Sequence, residues 1–268
     1  MASISDEPEL YAAVLADPND DDRRRALAAW YAERGDPRAE FILIQLRNAA
    51  TEAVGVFDGK LIMRERELLV AHSAAWRAPL SKFFVECTFH RGLIGEVTLP
   101  VDRFLAVAPA LFAAAPIQHL NLTAPATQLR RLLSTSLAGL VSLSLERLGL
   151  DDDDATALAG SSQLQRLSWL SLARNRIGRG GVEALAASPY LAHLDVLDLY
   201  RNPCDPTPKP GGHDLDGRVT AIDRPVVADE LITRHGPRPW LANPDNPDTW
   251  PLPRDSYRRA AQRSSGRR

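Results

Sequence analysis

Leucine returns through the middle of the chain in a fixed order, and that order predicts the elements. Leu140-x-x-Leu143-x-Leu145 is followed by Leu167-x-x-Leu170-x-Leu172 and Leu194-x-x-Leu197-x-Leu199, with a step of 27 residues each time. Leu158 and Leu164 keep the same step to Leu185 and Leu191, and Asn175 keeps it to Asn202. Leu148 holds the position that asparagine takes in the two later copies. Two weaker copies, Ile94-x-x-Val97-x-Leu99 and Ile117-x-x-Leu120-x-Leu122, lie upstream at steps of 23, which implies a shorter return segment. The Leu-x-Leu alternation has period two, so both leucines face one side of a short strand. Helical character follows it: Val182, Leu185 and Ala186 have i, i+3, i+4 spacing behind Gly180-Gly181. In the preceding copy, Asp151–Asp154 put carboxylates where a helix N-terminus favours negative charge. A strand and a helix per copy are each too small to bury their own apolar side, so copies gain stability by stacking. Each buried leucine then contributes roughly 1.5–3 kcal/mol.

The flanks follow other patterns. Residues 5–80 read as helices: Glu7–Ala16, then one opened by Asp20, Asp21 and Asp22 that carries Leu27, Trp30 and Tyr31. Gly35-Asp36-Pro37 ends that helix, a third runs from Pro37 through Phe41, Ile44 and Leu46, and a fourth covers Lys60–Val70. After Asn202 the composition shifts. Eleven of the 20 prolines fall between Pro203 and Pro253, so regular copies must stop near Cys204. Leu215-Asp216-Gly217-Arg218-Val219 is a candidate hairpin turn, and Pro225–Arg234 a further helix. The last fifteen residues hold six arginines against one aspartate and read as a disordered basic tail.

The series Leu-x-x-Leu-x-Leu-x-x-Asn-x-Ile/Cys resembles the leucine-rich repeat, and its 27-residue step with a glycine-rich helix entry is similar to the ribonuclease-inhibitor type. The likeness covers roughly 94–204. It implies an α/β solenoid with parallel strands on a concave face and helices outside. The string DDDRRRALAAWYAERGDPRAEFILIQ resembles the N-terminal domain that accompanies such repeats in certain bacterial protein families. No chemistry comes with that resemblance. The expected organisation is therefore a helical N-terminal cap over 1–88, repeats over 89–204, a proline-rich C-terminal cap over 205–253 and a basic tail over 254–268.

Composition narrows the function classes. With 268 residues, 45% hydrophobic and 25% charged, the chain has the profile of a globular protein. Two cysteines exclude a disulfide-dense scaffold, and no apolar run approaches the ~20 residues of a membrane span. The acidic N-terminus lacks the order of a secretory signal, so a cytoplasmic location is expected. The net charge of −2, with the tail set apart, implies no basic domain face. Nucleic acid could be contacted only nonspecifically, through the tail arginines.

Strand residues that alternate with the leucines are the expected binding surface for another protein or peptide. Trp169 and Tyr200 stand out as the anchors, with Asp198, Ser171, Ser144, Glu146, His119 and Asn121 beside them. The competing reading has Trp169 packed against Tyr200 or a cap and binding nothing. Asp151–Asp154 lacks the alternating ligands and turn glycine of a calcium loop, and the helix dipole and solvation explain it better. Cys87-x-x-His90 is half of a zinc spacing without a second pair, so a buried thiol is the simpler account. His213-Asp214-x-Asp216 reads as a solvated turn. No serine elbow, phosphate loop or dinucleotide fingerprint occurs. An accessory or tailoring enzyme using Cys87, His90 or the His213 loop is the alternative class. No metal or cofactor is expected.

Overall fold

The computed structural model describes residues 7–52, 58–83, 85–123, 128–137, 139–204 and 224–242. The fold is α/β, and the described residues divide into two compact units, one within Met1–Asn121 and the other within Leu122–Ala260.

The first unit opens with four helices, α1 (Glu7–Ala16), α2 (Asp21–Ala32), α3 (Arg38–Glu52) and α4 (Gly59–Arg77). Asp20 starts α2 as the aspartate run predicts: its carboxylate accepts from the Asp22 and Arg23 amides at 2.9 and 3.3 Å. Gly35, at φ +65°, closes the helix in the left-handed region. Val14, Leu27, Ala28, Tyr31, Ala39, Ile42 and Leu46 form the core between these helices, with Leu93 inserted from the following strand. Arg24 is fully buried among them and stays satisfied by carbonyls. Its guanidinium donates to Pro18 O at 2.9 Å and to Arg91 O at 3.1 Å, and burial lowers its pKa to about 10.

A 3-10 segment, Ala78–Phe83, leads to strands β1 (Glu86–His90) and β2 (Leu93–Pro100), then helix α5 (Val101–Ala114) and strand β3 (His119–Thr123), within which the two units divide. β1 and β2 pair antiparallel across Arg91-Gly92, with φ values of 54° and 87°. Positive φ at both turn residues matches the right-handed twist of the strands. The leucine spacing did not announce this hairpin, because β1 carries no leucine and its own burial is mostly at Phe89. Gly92 is obligatory: a Cβ there would lie 2.4 Å from the Ile42 Cα.

The second unit holds helix α6 (Leu129–Leu133), strand β4 (Ser142–Ser144), helix α7 (Asp152–Ala159), strand β5 (Trp169–Ser171), helix α8 (Arg179–Ala187), strand β6 (Val196–Asp198), and helices α9 (Arg224–His235) and α10 (Pro239–Ala242). β4, β5 and β6 lie in that order and are parallel. Their register repeats the sequence step: Leu143 pairs with Leu170 and Leu170 with Leu197, and all three are buried. The backbone ladder runs on past the strands, with Leu145 N donating to Ser171 O and Leu172 N to Asp198 O.

Asparagine secures the turn that follows. Asn175 Oδ1 accepts from Leu148 N and Leu150 N at 2.9 and 3.1 Å, while its Nδ2 donates to Leu145 O and Leu172 O at 2.9 and 2.8 Å. Asn202 does the same one step on, accepting from Ile177 N and donating to Leu172 O and Leu199 O. Asp151 caps α7 in a capping box with Asp154, and Asp152 accepts from Gly178 N at the start of α8. Gly181 leaves room for this contact, since a Cβ there would lie 2.7 Å from Asp152 Oδ1. The aspartate run is thus used within the helices, and no group of three His, Cys, Asp or Glu among the described residues is placed to hold a metal ion. The Asp216-Gly217 turn, the His213 loop and the arginine tail lie outside the described residues.

Replacing Asn175 with alanine orphans several buried backbone groups, each costing about 1–3 kcal/mol. Asn175→Ala should therefore lower the unfolding free energy by about 3 kcal/mol, read as a lower urea midpoint at unchanged slope. In the first unit, Asp36 is partly buried, which opposes its charge. The Arg38 guanidinium and backbone N–H outweigh that and hold its carboxyl below the usual range. A carboxyl depressed in the folded state contributes stability that is present above its unfolded pKa and lost as pH falls through the folded one. Stability measured down from pH 5 should accordingly drop more in the parent than in Asp36→Asn.

Candidate functional site

The strands of the second unit place the expected residues in three columns. In the first, Trp169 stands half-exposed, beside Ser142 and Val196, which are 3% and 6% exposed. The second runs Ser144, Ser171, Asp198. Ser171 donates its hydroxyl to Asp198 Oδ2 at 3.1 Å, and Asp198 Oδ1 accepts from Tyr200 N at 3.0 Å. The carboxylate is fixed from two sides and cannot swing. The third column runs Glu146, Ala173, Tyr200, with Glu146 exposed and Tyr200 half-exposed. Tyr200 falls opposite Ala173, four residues along from Trp169, or about 13 Å along the strand direction. The two anchors are therefore separate points on one face.

Two of the eight residues are not open. Ser171 is 2% exposed, because a serine between Trp169 and Ala173 is too short to clear its neighbours and turns to Asp198 instead. His119, in the first unit, is 1% exposed, and its ring meets that of His90 edge to face at 4.6 Å. Asn121 is half-buried there and donates to Glu96 Oε1 at 2.8 Å and Thr98 Oγ1 at 3.3 Å. Cys87 lies half-buried in β1, and burial raises its thiol pKa against the opposing pull of Arg77. A raised pKa leaves little thiolate for nucleophilic chemistry.

The leucine pattern missed a fourth column. Arg147, Arg174 and Arg201 follow one another at the 27-residue step, all exposed, with φ of 62°, 57° and 58°. Arg147 N donates to Ala173 O and Arg174 N to Tyr200 O, so each arginine sits where its ladder ends. The left-handed conformation costs a non-glycine residue about 1–2 kcal/mol, and glycine or asparagine would adopt it more cheaply. Arg174 reaches Glu146 at 3.4 Å, and Arg201 donates to the Tyr200 hydroxyl at 3.2 Å. The Arg147 side chain makes no bond to any described residue. Reading the position before each asparagine at the same step would have found the column.

No family model matches the chain, and no curated protein or solved structure matches it. Among the described residues no helix is long and apolar enough to cross a membrane.

Proposed function

We propose that the chain is a leucine-rich-repeat scaffold of the solenoid type, and that it works without catalysis by binding a segment of another protein on its strand face. One observation carries the reading: Trp169 and Asp198 are held on adjacent parallel strands, and Tyr200 and the arginine column follow where the backbone ladder runs on past them. Groups fixed before the partner arrives lose little conformational freedom on binding. Half-exposed tryptophan, tyrosine and arginine are also the residue types that dominate binding energy at interfaces. Three arginines against Glu146 and Asp198 leave a small positive excess, which favours a partner segment that pairs acidic side chains with an apolar one, the apolar group meeting Trp169. A helical N-terminal companion domain and a proline-rich C-terminal cap complete this proposal. Cys87 offers a suppressed thiol, which weighs against the enzymatic alternative at that position.

A displayed peptide library selected on the full chain should return sequences rich in aspartate and glutamate with one large apolar residue. Against a selected peptide, Trp169→Ala and Tyr200→Ala should each weaken binding by about 30-fold, the scale of an interface anchor of 2 kcal/mol, with thermal unfolding unchanged. Arg174→Glu should weaken it as well and flatten its salt dependence. If both aromatic variants bind like the parent, the strand face is not the site.

A further inference from the structure

Within the first unit the helices and the hairpin line a half-open cavity of about 710 Å³, the size range of small-molecule sites. Its walls are apolar and aromatic. Tyr11 comes from α1, Trp76 from α4 and Phe89 from β1, and Trp76 and Phe89 meet edge to face at 6.0 Å. The stacking of His72 on Trp76, at 5.2 Å and 26°, fixes the indole. Small residues, Ala75, Ala114 and Ala115, line part of it.

Glu7, Asp36, Arg38 and the Tyr31 hydroxyl lie together among the lining groups, and His72 adds an imidazole beside Trp76. Arg38 spends each of its nitrogens on protein: Nε and one terminal nitrogen donate to Asp36 Oδ2 at 3.0 and 2.7 Å, and the other donates to Glu7 Oε1 and Tyr31 OH at 3.0 and 2.8 Å. Tyr31 gives its proton to Glu7 Oε1 at 2.6 Å, and Tyr11 gives its own to Ala114 O at 3.0 Å. Four of the five Arg38 N–H groups and the Tyr31 and Tyr11 hydroxyls are thus used within the protein, while Glu7 Oε2 receives no hydrogen bond from any described residue. Two carboxylates against one guanidinium leave a net negative charge beside the π faces. Such a site suits a cation on an apolar body: aromatic faces attract it, the open carboxylate oxygen accepts its N–H, and an anion would meet two carboxylates against one guanidinium.

We infer that this cavity is a binding site for a small arylalkyl amine, with Glu7 as the ammonium acceptor and Trp76 as the wall against the ring. The site is separate from the strand face and owes nothing to the function proposed there.

Calorimetric titration of the full chain with three probes of one shape tests it: phenethylamine, phenethyl alcohol and 3-phenylpropanoate. Phenethylamine should bind at least tenfold tighter than the alcohol, and the carboxylate weakest. Glu7→Gln should remove the preference for the amine while still binding the alcohol, which shows that the cavity persists. Trp76→Leu should weaken amine and alcohol alike. Equal affinity for amine and alcohol, survival of the preference in Glu7→Gln, or no binding of any probe at millimolar concentration would each overturn the assignment.

Discussion

A leucine that faces the interior of a three-residue strand can leave water only if its counterpart one step along the chain lies beside it. Leu143, Leu170 and Leu197 meet this condition on β4, β5 and β6, and the rest of the second unit is built around their register. A slip of one residue would turn every leucine outward, so the pairing has one solution. That solution leaves a turn after each strand with backbone groups facing the interior, and apolar side chains cannot satisfy them. Asn175 and Asn202 do so with a side chain that donates and accepts at once, which is why an amide stands at a site otherwise suited to leucine.

The same register supplies a surface. Whatever stands between the leucines is carried outward at fixed intervals, and the backbone ladder keeps it there. Asp198 illustrates the result, since both of its oxygens are tied, one to Ser171 on the next strand and one to the backbone of Tyr200. The arginines continue the theme at the ladder's end in a conformation their side chains do not favour.

The first unit solves a different problem with different means. Its helices bury a common core, but Arg24 and the Glu7–Tyr31–Arg38–Asp36 group keep charge inside or at the edge of it. Charge so placed must be bonded, and the bonds leave two carboxylates against one guanidinium with the second Glu7 oxygen open. The cavity takes its chemical character from that imbalance, with apolar walls from Trp76 and Phe89 and an acceptor from Glu7.

The sequence alone determined the strand register of the second unit, the asparagine turns, the helix start at Asp151–Asp154 and the order of the first four helices, because each depends on spacing within one element or on one fixed step. It placed Trp169, Asp198 and Tyr200 on a common face for the same reason. Burial of His119 and Ser171, the antiparallel hairpin at Arg91-Gly92, the strained arginines and the aromatic cavity came only with the tertiary structure. Each of these depends on which side chains from distant segments meet, and in what orientation. Periodicity records which way a residue faces; it does not record how tall the residues beside it are, nor which hydrogen-bonding groups the fold brings to them.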